Sequence, residues 1–150
     1  MTNWLTPGDQ QMIARLFLAM LFGGLIGLER EIHGKMAGFR THALVSIGSA
    51  LIMMVSIDIF EAYHDVAPVD PSRIAAQVVS GIGFLGAGAI IRFSAGIKGL
   101  TTAAGLWVVA GIGLACGAGF FKPAFVTTLF VLVILVLFSK LGRRFGWLDI

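Results

Sequence analysis

Charge is what this sequence has least of. Asp, Glu, Lys and Arg make up only 13% of its 150 residues, against about 25% in a soluble domain. So little polar surface excludes a water-soluble globule, and 57% hydrophobic residues with a mean hydropathy of +0.92 make lipid the expected solvent. A single cysteine, Cys116, excludes an intrachain disulfide and a cysteine–zinc cluster. The start of the chain has no basic leader with a small-residue cleavage site, so the first apolar segment is expected to remain in place. There is no Gly-x-x-x-x-Gly-Lys-Ser/Thr phosphate loop and no Gly-x-Ser-x-Gly elbow, and His33, His42 and His64 lack metal-ligand spacing. With no nucleophile or acid–base set in view, the chain is expected not to be an enzyme, to have no catalytic residues and to need no cofactor. The net charge of +3 does not point to nucleic acid, because the basic residues lie in short segments between apolar runs.

Five apolar stretches approach the ~20 residues of a membrane span. They run at about 12–28, 42–60, 74–91, 102–121 and 123–141. The fold class is therefore all-α, a polytopic membrane bundle of about five transmembrane helices in one domain over 1–150. Thr101 and Thr102 read as the N-cap region of the fourth helix, and Pro123 suits the start of the fifth. Arg30, Lys35, Arg40, Arg92, Lys98, Lys140, Arg143 and Arg144 fall on one side of these spans, with Arg73 and Lys122 on the other. By the positive-inside rule the N-terminus lies outside and the C-terminus in the cytoplasm.

The 20 glycines include Gly81-Ile82-Gly83-Phe84-Leu85-Gly86, which spells a dinucleotide-binding fingerprint. That motif needs a preceding strand and a water-accessible loop; here it lies inside an apolar span. Small residues instead let membrane helices approach closely. Ala76, Ser80, Gly83 and Ala87 form one stripe, Gly23 and Gly27 a Gly-x-x-x-Gly pair, and Gly111, Ala115 and Gly119 a third surface. Gly81, Gly83, Gly86 and Gly88 are echoed by Gly111, Gly113, Gly117 and Gly119, a weak internal repeat. The third span is expected at the centre of the bundle, touched by the first and fourth.

Polar residues at membrane depth are candidates for function. Arg15 either snorkels outward or pairs with Asp58 or Asp70. Glu29 and Arg40 can meet across the first connection, forming with Arg30 and Thr41 a cytoplasmic cluster. Gln77 and Ser80, in the third span, either line a polar path or bond a neighbouring helix. Glu61, Asp65 and Asp70 carry the oxygen chemistry Mg²⁺ prefers, and equally read as a solvated acidic loop; no metal ligands are assigned.

Four motifs carry a resemblance. Gly27-Leu28-Glu29-Arg30-Glu31, Ala37-Gly38-Phe39-Arg40-Thr41-His42-Ala43-Leu44-Val45, the run from Asp70 to Gly88, and Gly99-Leu100-Thr101-Thr102-Ala103-Ala104 occur in that order. Together they resemble the bacterial MgtC/SapB family from about Leu16 to Gly119. The resemblance implies a multi-pass inner-membrane protein linked to Mg²⁺ limitation, with Mg²⁺ as ligand or regulator. Many relatives have a further cytoplasmic C-terminal domain, and this chain is expected to be a short form without it. The expected role is a regulator or accessory protein in Mg²⁺ homeostasis, acting in the lipid bilayer as a homo-oligomer or with another membrane protein. The alternative is a transporter or channel for Mg²⁺ or another small solute. For the regulator, the Glu29/Arg40/Thr41 cluster and the Asp70/Arg73/Gln77 segment are the positions expected to matter; for a transporter, Gln77, Ser80 and the two Gly-rich helices would line the path, with Arg15 and Asp70 at its outer mouth.

Overall fold

A computed structural model describes residues 6–94 and 96–138. Its helices are α1 (Pro7–Ile32), α2 (Phe39–Tyr63), α3 (Ser72–Gly88), α4 (Leu100–Gly117) and α5 (Phe121–Val133), the last continuing as a π-helical turn over Ile134–Phe138. Lys140, Arg143, Arg144 and the end of the fifth predicted span lie outside the described residues.

The helices start where local chemistry favours it. Thr6 and Asp9 form a capping box: the Thr6 hydroxyl accepts from the Asp9 N–H at 3.2 Å, and the Asp9 carboxylate accepts from the Thr6 N–H at 2.8 Å. With Pro7 at the first position, α1 begins five residues before the predicted span. At α2 the cap side chain comes from the previous helix, where Glu31 Oε2 accepts from the Phe39 N–H at 2.7 Å. α4 is not capped by Thr101 or Thr102, which lie inside the helix. Its N-cap is Gly99, at φ +93°, where a Cβ would sit against the Ala89 carbonyl.

Four of the five helices, α1, α2, α4 and α5 with its π-helical turn, are long and apolar enough to cross a membrane. The third span is shorter than expected. α3 has 17 residues, roughly 25 Å of helix, and its predicted last residue, Ile91, belongs to a strand. Ile91–Phe93 (β1) and Gly96–Lys98 (β2) form an antiparallel two-stranded hairpin, pairing Ile91 with Lys98 and Arg92 with Ile97. A three-residue strand has too few positions for a two-residue period to be read, and the apolar run simply continued through it.

The centre of the bundle is α2, not α3. α2 packs most extensively on α1 and α4, while α3 lies against α4 at the edge. Contacts of Gly23 and Gly27 with 38–46 make α1 and α2 antiparallel; contacts of Gly105, Gly113 and Gly117 with 42–53 make α2 and α4 parallel. The core joins Ala19, Phe22 and Ile26 of α1 to Ala50, Val109, Ile112, Cys116, Ala124 and Leu135. The lipid-facing surface carries exposed Phe17, Leu44, Phe84, Trp107 and Phe130. Among the described residues, exposed Lys35, Arg40, Arg92 and Lys98 lie at the end where α2 and α4 begin. Asp58, Glu61, Asp65 and Asp70 lie at the other.

Candidate functional site

The glycines separate by environment. A Cβ on Gly23 would come within 2.6 Å of Ser46 Cβ and 2.8 Å of the His42 carbonyl; on Gly27, within 2.7 Å of the Gly38 carbonyl. On Gly113 it would lie 2.2 Å from the Ser46 carbonyl, and on Gly117 2.4 Å from that of Ala50. These four positions are where the backbones of α1 and α4 lie against α2. Gly86 makes only ordinary contact, 3.7 Å from Ala103 Cβ. Gly81, Gly83, Gly88 and Gly111 face open space within the chain. Gly111 lines an apolar groove of about 230 Å³ between α4 and α5 with Trp107 and Pro123. Ala76, Ser80, Gly83 and Ala87 are all exposed on the outer face of α3. The expectation that this stripe centres the bundle is therefore overturned. Stripe composition says a helix can be approached closely, and not which neighbour does so. The two halves of the internal repeat differ in environment: Gly81 and Gly111 are both open, but Gly83 is open where Gly113 is sealed.

Arg15 neither snorkels freely nor pairs with Asp58 or Asp70. Its guanidinium donates from Nη1 to the Gly117 carbonyl at 2.9 Å. A cation here meets the unpaired carbonyls at the C-terminus of α4 and the negative end of its dipole. Replacing Arg15 with Ala should cost about 2 kcal/mol, the worth of a charge-assisted hydrogen bond. Lys at this position should recover part of it; a chemical-unfolding series in detergent reads both.

The predicted cytoplasmic cluster divides in two. Glu29 does not reach Arg40. It accepts a hydrogen bond from Arg30 Nε at 2.5 Å, with Glu29 8% and Arg30 4% exposed. Consecutive helix residues do not share a face, so both side chains must bend to one point. Arg40 and Thr41 stay exposed, lining a shallow cavity of about 290 Å³ with Glu31, Lys35, Met36 and Gly38. Beside the buried pair, His33 Nδ1 lies 3.0 Å from Glu29 Oε1 but donates to the Glu29 carbonyl at 2.8 Å.

His42, absent from the sequence-derived set, is fully buried, and its Nδ1 lies 2.9 Å from the Gly38 carbonyl. Glu29 Oε1, His42 Nε2 and Ser46 Oγ are buried without a hydrogen-bond partner among the described residues. His42 could have been found from its place in the Arg40-Thr41-His42 motif. Spacing alone showed only a lone histidine near a span's end.

At the opposite end, Asp70 accepts from the Ser72 N–H at 2.8 Å, and the Ser72 hydrogen bonds hold its carboxyl below the usual carboxylate range. Asp65 lies 3.2 Å from His64 Nε2. Among the described residues, no group of three or more His, Cys, Asp or Glu is arranged to hold a metal ion. The buried Ser56 hydroxyl donates to the Pro71 carbonyl, tying α2 to the start of α3. Arg73, Gln77 and Ser80 are exposed along α3.

This fold and site define a small polytopic membrane protein, with a glycine-sealed three-helix core and a buried charge cluster at its basic end. The chain belongs to the MgtC family, whose family model matches residues 16–144. It is 46% identical over 138 residues to Protein MgtC of Salmonella typhimurium strain LT2, covering 92% of this chain and 57% of that protein. It is also 46% identical over 138 residues to YhiD of Escherichia coli K12, provisionally named a magnesium transporter, covering 89% and 63%. Identity to Protein SapB of Bacillus subtilis strain 168 is 42% over 142 residues, covering 92% and 61%. The chain thus spans about three-fifths of the length of these relatives. No solved structure matches it.

Proposed function

We propose that this chain is a non-enzymatic membrane regulator or accessory protein linked to Mg²⁺ homeostasis. It acts through helix contacts with a second copy of itself or with another membrane protein, in the bacterial inner membrane with the basic end in the cytoplasm. The link to Mg²⁺ comes from kinship with the MgtC family and from the name of the YhiD relative. The observation that favours a contact-based role is the outer face of α3. There Gln77 and Ser80 lie exposed beside Ala76, Gly83 and Ala87. Amide and hydroxyl groups facing lipid are costly, and small neighbours let another helix close over them.

Transport of Mg²⁺ or another small solute is the second reading, favoured by the YhiD name. It would need Gln77 and Ser80 to border a path, so the path would form only between copies. Reconstitution in liposomes enclosing a Mg²⁺-sensitive dye distinguishes the two. The regulator reading expects no flux above protein-free liposomes. Flux that Gln77→Leu abolishes would replace it with the transport reading.

A further inference from the structure

We propose that Glu29, His42 and Ser46 form a proton-binding site buried in the bundle and open to the basic end only. The proposal does not depend on the regulator reading. It begins with a count of donors and acceptors. The Gly38 carbonyl 2.9 Å from His42 Nδ1 can only accept, so Nδ1 carries a hydrogen. In the neutral ring Nε2 is then a bare acceptor, and it is buried without a partner. Glu29 Oε1, a second acceptor, has His33 Nδ1 at 3.0 Å, but that N–H is committed to the Glu29 carbonyl; among the described residues Ser46 Oγ is the only other buried side-chain group left unmatched. Two acceptors and one hydroxyl cannot satisfy each other. One added proton forms an N–H bond at Nε2 and supplies the donor this cluster lacks. Buried polar groups in native proteins are nearly always partnered, and ionisable groups at membrane depth mark proton relays among other functions.

The buried charges around His42 come from one helix. α1 places Glu29 and Arg30 within electrostatic reach, with His33 beyond them. α4 faces the ring with Gly105, whose Cβ position is 3.6 Å from Nε2, and brings no titratable group. On α2 itself Arg40 lies two positions from His42 and is exposed. The Glu29–Arg30 pair is neutral overall, so the proton changes the cluster's net charge by one.

The order of exposure gives the site a direction. The His33 side chain is 31% exposed, Glu29 8%, and His42 and Ser46 0%. Deeper in, the close approach of Gly23 and Gly113 shuts the space around Ser46. The Ser49 hydroxyl donates to the Val45 carbonyl at 2.8 Å. Beyond Ser46 the buried packing is apolar, with Ala19 and Phe22 of α1, Ala50 of α2 and Cys116 of α4. A proton entering past His33 thus stops at an apolar plug, which makes the site a receiver and not a channel.

The test uses the full chain in lipid nanodiscs, with ¹⁵N-labelled histidine followed by NMR over about pH 4–9. His42 is assigned by the resonance lost in His42→Asn. The proposal expects His42 to gain one proton within that range, and Glu29→Gln to weaken proton affinity about tenfold by removing the neighbouring carboxylate. In proteoliposomes of a single orientation, His42 should respond to pH at the basic face and not to pH at the acidic face. A His42 that keeps one protonation state in folded protein would overturn the proposal. So would a titration indifferent to Glu29→Gln, or a response from the acidic face. If Glu29→Gln does not fold, the wild-type titration and its sidedness decide.

Discussion

Gly113→Leu should prevent stable folding of this bundle. A Cβ at Gly113 alone would lie 2.2 Å from the Ser46 carbonyl, 2.8 Å from Ser49 Cβ and 2.9 Å from the Ser46 carbonyl carbon. Two of these are backbone atoms of a central helix and cannot swing aside as a side-chain end can. Overpacking a well-filled core typically costs 1–3 kcal/mol; a backbone clash on this scale should exceed about 3 kcal/mol. Even Gly113→Ala should be destabilising, since the clash begins at Cβ. Gly83→Leu provides the control. Its Cβ meets nothing within 4 Å in the same chain, so the fold should survive. Self-association, if α3 mediates it as proposed, should be lost. SDS-unfolding titrations and light scattering in detergent separate the two effects. A Gly113→Leu protein as stable as wild type would mean that α2 and α4 do not meet along this line.

The second large effect is expected at the buried ion pair. Glu29→Ala leaves the Arg30 guanidinium, 4% exposed, without its 2.5 Å partner. Removing one member of a buried pair costs about 3–5 kcal/mol, because the remaining charge stays desolvated. Replacing both, as Glu29→Leu with Arg30→Met, should recover most of the loss, since apolar residues of similar volume avoid desolvation altogether. Unfolding free energies of wild type, Glu29→Leu, Arg30→Met and the double form a complete cycle, and additive losses would show that the pair is not coupled. The same double substitution should leave Arg15 and the α1–α4 contact at the far end unaffected, because distant sites act independently.

Composition and apolar length alone determined that this chain is a helical membrane protein. Each such feature is local: a lipid-soluble run of a given length needs no knowledge of its neighbours. The four family motifs likewise pointed to the MgtC family, because ordered residue identities are a property of the chain. Tertiary structure decided which small residues touch. Gly83 and Gly113 look alike in a glycine-rich helix, yet one faces outward and the other lies against the Ser46 backbone. Rotation of each helix about its axis is set by packing with its partners, and no single helix encodes it. The partners of Arg15 and Glu29 follow the same rule. Arg15 was expected either to snorkel outward or to pair with Asp58 or Asp70, and Glu29 to meet Arg40 across the first connection. Arg15 found the carbonyl end of α4 instead, and Glu29 its own neighbour, because hydrogen-bond reach in a low-dielectric bundle depends on helix register. The motif contains His42, but its burial without a partner became visible only once three helices closed around it, since burial is a property of the packed state.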